Sequence, residues 1–181
     1  MRASGMPIIR DIAQLGQAVL RGETRGVDDP SDPSVQALIE DMLVTMADAD
    51  GVGIAAPQVF EPLRLFIVAS NPNPRYPHAP AMDPTAMLNP EILWRSDETE
   101  KGWEGCLSVP GIRGPVPRSV KIGVRYQTRD GCFCEDVLNG FLARIFQHEY
   151  DHINGMVFLD RVEDNSKLLT EREYRRIITQ L

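Results

Sequence analysis

The run Gln147-His148-Glu149-Tyr150-Asp151-His152 constrains this chain more than any other stretch. Phe141, Leu142, Ile145 and Phe146 precede it at helical spacing, Asn139 or Asp136 can cap the start, and Gly155 lies just past the end. At about 3.6 residues per turn, side chains four apart lie on one face of a helix. Both imidazoles can therefore grip one metal ion, with Glu149 beside them to handle the proton of a reacting water. The chain has only three histidines, so two of them framing a glutamate is not the pattern of a merely solvated helix end.

At 181 residues the chain is read as one domain, 1–181, long enough to build a core without disulfides. A formal charge of −7 argues against the basic face that nucleic acid backbones require, so no direct nucleic acid specificity is expected. No apolar run approaches the roughly 20 residues needed to span a bilayer, and residues 1–10 lack the apolar core of a secretory signal. Three cysteines, an odd number, do not form a disulfide framework and fit a reducing compartment. A bacterial cytoplasm is expected, with an organellar matrix as the alternative.

Residues 34–48 carry Val35, Leu38, Ile39, Met42, Leu43 and Met46 at helical spacing, between Pro33 and the Asp50-Gly51 pair. Strands are expected at 63–69, 86–94, 119–127 and 133–138, the last two joined through Arg129-Asp130-Gly131. Residues 71–84 are proline-rich and read as a surface excursion, and a final helix is expected over 171–181. Strands cluster in the middle and helices bracket them. The expected fold is α+β, with antiparallel β-sheets packed around a central HExxH-bearing helix, an N-terminal helix and a C-terminal helix.

A catalytic site of this kind takes three protein ligands and keeps one position open. In the extended protease motif the third ligand would be a histidine six residues after His152, where this chain has Phe158. Glu171 or Glu173 could serve from a following helix, and His78 lies in the proline-rich excursion, where an exposed loop histidine is the plainer reading. Cys106 is the better candidate, in Glu104-Gly105-Cys106-Leu107-Ser108, because a thiolate binds such metals well and Gly105 lets backbone approach closely. Cys132 and Cys134 have Cys-x-Cys spacing but, with only Cys106 elsewhere, are not read as ligands.

Residues 51–58, Gly-Val-Gly-Ile-Ala-Ala-Pro-Gln, superficially match a dinucleotide fingerprint. That fingerprint follows a strand and opens a helix; here a helix comes before and a strand after. The glycines and alanines suit a close-packed wall along a cleft, with Gln58 offering an amide donor, or else a tight turn beneath the first helix.

Together, the segments 51–58, 104–108 and 147–152 resemble the peptide deformylases, which carry GxGxAAxQ, EGCLS and QHExDH in this order. The resemblance implies removal of the formyl group from the N-terminal formylmethionine of nascent peptides. It implies Cys106, His148 and His152 as metal ligands, Fe2+ as the metal with Zn2+, Ni2+ or Co2+ as substitutes, and Glu149 as general base and acid. It further implies an oxyanion hole from Gln58 and the Leu107 N–H, and a cleft lined by Val52, Gly53 and Gly105. Phe141, Ile145 and the rim residue Arg113 would form the methionine pocket. Arg144, one turn before His148, stands where some members have an apolar pocket residue; it either points to solvent or alters what is accepted. Lys167, Arg172, Arg175 and Arg176 suggest either a solvated helix face or a transient ribosome contact. The rival readings are a metallopeptidase using Glu171 or Glu173, and a binding protein in which metal only staples the fold.

Overall fold

The computed structural model describes residues 6–72 and 79–179. His78 therefore lies outside the described residues. The first helix, α1 (Pro33–Asp48), starts where proline is favourable and where Asp32 accepts a hydrogen bond from the Ser34 N–H at 2.7 Å. Leu38, Ile39, Met42 and Met46 are its buried face. The helix ends before Asp50, whose φ of 50° turns the chain away.

Two sheets follow. The larger has the order β1 (Gly53–Ala55), β2 (Leu65–Ser70), β3 (Met82–Arg95), β6 (Lys121–Gln127) and β7 (Phe133–Asn139). The smaller contains β4 (Thr99–Cys106), β5 (Val109–Ser119) and β8 (Leu169–Thr170). Every pairing between these strands is antiparallel. β2 is buried on both sides, and its alternating residues go to different cores. Leu65, Ile67 and Ala69 join α1, whereas Phe66 and Val68 join α2 (Gly140–His152). The two helices thus cover opposite faces of the five-stranded sheet, and α2 also touches β5 of the smaller sheet. A short helix, α3 (Glu171–Ile178), follows β8.

The expected elements recur with moved ends. The strand at 63–69 is Leu65–Ser70, and that at 86–94 begins earlier, at Met82, so part of the excursion is strand. The 119–127 segment is divided, because Ser119 ends β5 and β6 starts at Lys121. Asn139 is the residue before α2 but makes no side-chain cap; Gly140, at φ 54°, turns the chain into the helix instead. The β4–β5 hairpin and β1 are additions to the expected elements. No helix among the described residues is long and apolar enough to cross a membrane.

Candidate active site

His148 and His152 lie one turn apart on α2 with ring centroids 5.1 Å from each other. Cys106 is the last residue of β4, where the chain turns tightly into β5, and this turn delivers its sulfur to the helix. The sulfur lies 3.2 Å from His152 Nε2. One ligand atom from each of the three residues falls within 4.8 Å of the others, and this is the metal-competent cluster among the described residues. Glu171 and Glu173 are elsewhere, held by Arg113 at 2.6 Å and Arg176 at 3.1 Å. Phe158, at the place of the absent extended-motif histidine, stacks near the His148 ring instead, at 6.3 Å.

A network that the sequence left unread holds His148. Its Nδ1 lies 2.9 Å from Glu104 Oε2, which leaves Nε2 for the metal side. Arg118 grips the same carboxylate with Nε and Nη2, both at 2.9 Å, and donates through Nη1 to Asp151 at 2.6 Å. Arg161 closes the chain on Asp151 at 2.8 Å. Burial disfavours a charged Glu104, but its bonds to Arg118 and His148 outweigh this and hold the carboxyl well below its ordinary pKa. Glu104 holds the imidazole directly, backed by the buried Arg118 and Asp151 and the more exposed Arg161; that geometry is the network's contribution, since buried ion pairs add little net stability.

Glu149 has a different environment. It is 3% exposed, and its Oε2 has no hydrogen-bond partner among the described residues. Burial pushes its pKa up to about 7; the two imidazoles oppose the shift, and Cys106 reinforces it. A Cβ at position 53 would collide with this carboxylate, so a side chain there would push Glu149 from its place. Burial likewise opposes ionisation of Cys106, yet His152 and His148 draw its pKa well below the ordinary thiol value. Gln58 is locked from both ends. Its Oε1 accepts the Ala55 N–H at 2.8 Å, and its Nε2 faces Ser108 Oγ at 3.1 Å and the Cys106 sulfur at 3.5 Å.

A cavity opens over these groups. Val52, Gly53, Gly105, Leu107, Phe141 and Ile145 line it, with Gln58, Cys106, His148 and Glu149. Arg113 does not, which corrects its expected place at the pocket rim. It is 1% exposed and lies behind Gly105, drawn there by Glu171. Arg144 does line the cavity, so its side chain is not simply directed to solvent. It turns inward, donating to Glu104 and the Val116 carbonyl, each at 2.9 Å, and to the Glu100 carbonyl at 2.7 Å. Trp103 and Asp50 also line the cavity and carried no signal in the sequence, being an aromatic residue on an unrecognised strand and a helix-end acid.

The sequence profile of the polypeptide deformylase family matches residues 9–168. The chain belongs to this family. Among curated relatives, peptide deformylase 2 of Nostoc sp. is 54% identical over 174 residues, covering 96% of this chain and 97% of that protein. Peptide deformylase 2 of Shewanella oneidensis is 48% identical, covering 90% of this chain and 89% of its own length. The fold superposes on the Met-Ala-Ser-bound class I type b peptide deformylase of Acinetobacter baumannii with TM-score 0.85 at 45% identity, covering 87% of this chain and all of that one. The Thermotoga maritima deformylase gives TM-score 0.77 at 40% identity, covering 87% of this chain and 99% of its own. The activity is thus that of a deformylase: removal of the formyl group from N-formylmethionyl nascent peptides. The family is metal-dependent, and the Cys106, His148 and His152 cluster is where this deformylase can hold its ion.

Proposed function

We propose that Cys106, His148 and His152 ligate the metal of this deformylase and that Glu149 moves the proton of the reaction. The observation that carries this reading is the buried, unpartnered Glu149 Oε2 beside a cluster of one sulfur and two imidazole nitrogens. That donor set suits a first-row divalent ion, and the Nδ1–Glu104 contact leaves His148 the right nitrogen for it. The resemblance implies Fe2+, and Zn2+, Ni2+ or Co2+ would suit the same donors. When bound, such an ion supplies Lewis acidity, which brings a water's pKa from about 15.7 toward 7.

The chain's residues do the rest. Glu149 takes a proton from the attacking water and later delivers it to the departing amine nitrogen, a task matched by its raised pKa of about 7. Gln58 Nε2 and the Leu107 N–H donate to the oxygen that becomes negative as the formyl carbon is attacked. Val52, Gly53 and Gly105 bring main chain alongside the peptide, and Phe141 with Ile145 receives the methionine side chain. Arg144 closes the polar end of the same cavity.

The Acinetobacter baumannii deformylase binds Met-Ala-Ser, so formyl-Met-Ala-Ser is the substrate to test. Anaerobic protein loaded with Fe2+ should release formate from it, and Glu149→Ala should keep its metal but lose nearly all turnover. An active Glu149→Ala, or no formate from metal-loaded parent, would overturn the assignment.

The curated relatives named above are bacterial, and a cytoplasmic location accords with a substrate that is a nascent chain. A transient ribosome contact through Lys167, Arg172, Arg175 and Arg176 would place the cleft near that substrate. Charge reversal at Arg172 and Arg176 should then abolish salt-sensitive cosedimentation with ribosomes; unchanged cosedimentation would refute the contact.

A further inference from the structure

α3 has eight residues, too few to stand as a helix without tertiary support. Its support comes from the strand that backs the cleft. β8 pairs with β5 at Ile112 and Arg113, and Thr170 caps the first turn of α3 through the Glu173 N–H. From that turn, Glu171 takes Arg113 with Oε2 on Nε at 2.6 Å and Oε1 on Nη2 at 3.3 Å. One turn further, the buried Tyr174 ring meets two groups. The Arg113 guanidinium carbon is 5.1 Å from its centroid, and the Trp103 ring is 5.4 Å away.

Both groups belong to the substrate side. Trp103 lines the cavity itself. Arg113 stands directly behind Gly105, so close that a Cβ on that glycine would lie 2.9 Å from the guanidinium carbon. Gly105 lines the cavity and is followed by Cys106. On its other side the 105–107 segment borders a second groove, whose walls include Ile112, Arg113, Glu171 and Arg175. The path from α3 to the cleft is thus one side chain deep at two places.

We propose that α3 is a positioning element of the substrate cleft, with Tyr174 and Glu171 acting through Trp103 and Arg113 on the wall that holds the peptide. The proposal rests on the deformylase reading of that cleft. Tyr174 holds Trp103 against the cavity and presses Arg113 onto Gly105; Glu171 keeps Arg113 from swinging outward to the rim. Removing either side chain loosens the peptide-binding wall while leaving the α2 imidazoles and Glu149 in place. The signature is a change in KM larger than that in kcat.

The experiment uses full-length, metal-loaded protein and compares Tyr174→Ala, Tyr174→Phe and Glu171→Gln with parent on formyl-Met-Ala-Ser. Tyr174→Ala should raise KM by about three- to tenfold, the scale of a single aromatic or cation–π contact, with kcat changed by less than about twofold. Tyr174→Phe retains the ring and should restore KM; Glu171→Gln should fall between. A second readout needs no turnover. In a Trp94→Phe background the remaining tryptophan is Trp103, and its emission should shift in Tyr174→Ala and report weaker Met-Ala-Ser binding. Folded, metal-replete Tyr174→Ala with parental KM and peptide affinity would overturn the proposal, as would a lowered Tm with both constants unchanged. A parent that binds Met-Ala-Ser but releases no formate would count against the proposed chemistry and leave the binding comparison decisive for α3.

Discussion

On one face of the five-stranded sheet, α1 buries Leu38, Ile39, Met42 and Met46 together with Asp41 and Thr45. On the other, α2 buries Ala143, Ile145 and Phe146 together with Gln147, Glu149, Asp151 and His152. The polar groups of α1 are all answered. Asp41 accepts the Ile8 N–H and Arg10 Nε, both at 2.9 Å, and Thr45 bonds the Asp41 carbonyl at 2.7 Å and the Arg10 N–H at 2.9 Å. On α2, Gln147 bonds the Ser119 main chain and Asp151 has two arginines, but Glu149 Oε2 and His152 Nδ1 have no partner among the described residues. A buried polar atom without a partner is costly. The helix that only packs avoids this cost, and the helix with the reactive groups concentrates it beside the cavity.

Three substitutions test that contrast and a fourth serves as a surface reference, taken from the largest expected effect to the smallest. Glu149→Gln should lower kcat/KM by about 10²–10⁴, the usual contribution of a general acid–base group, without lowering Tm, because the substitution removes a buried charge that the fold leaves unanswered. Calorimetry beside formate assays checks both halves, and a large fall in Tm would break the contrast. Met42→Ala on α1 should cost about 2–5 kcal/mol in urea unfolding, with kcat/KM of the folded protein intact. Asp41→Ala should cost about 1–3 kcal/mol by stranding its donors, again without a kinetic effect; a slower enzyme would show that α1 reaches the site after all.

The smallest effect belongs to Asp160, which is paired with Arg21 at the surface rather than buried on either helix. Its hydrogen bond from Arg21 outweighs partial burial and lowers its pKa below the ordinary 3.8. A depressed folded pKa means that the stabilisation is present above the unfolded value, about 3.9, and fades as pH falls through the folded one. Asp160→Asn should therefore narrow the gap between urea midpoints at about pH 6 and about pH 3. An unchanged gap would show that the Arg21 pair contributes nothing measurable, as many exposed pairs do.

Much of the site was legible because its chemistry is local. The imidazole spacing is set by one helix, and Cys106 stands in a five-residue segment; neither needs knowledge of the tertiary fold. The β4–β5 hairpin was not legible. Residues 109–119 hold three prolines and two glycines, which break the alternation by which strands are read. β1 has only three residues, two of them small, and becomes a strand through its pairing with β2. Glu104 was seen only as part of a motif, because its partners Arg118, Arg144 and His148 lie 14, 40 and 44 residues away. Arg113 was misplaced for the same reason: Glu171, which draws it inward, is 58 residues on.

Those prolines of β5 have a consequence for a protein that must work among unfolded chains. Alternate residues of a strand aim their main-chain groups at the same edge. Along the edge away from β4 come Arg113, paired with Leu169 of β8, then Pro115 and Pro117, which have no N–H, and Ser119, bonded by Gln147. Each potential donor on that edge is either satisfied or missing. An exposed ladder would invite any extended polypeptide to add itself as another strand. Nascent chains are extended, abundant and rich in unpaired amides, so a bare edge here would accumulate the very molecules the enzyme must release. With those donors satisfied or missing, this stretch of β5 gives such a chain little to pair with and does not compete with the cleft for it.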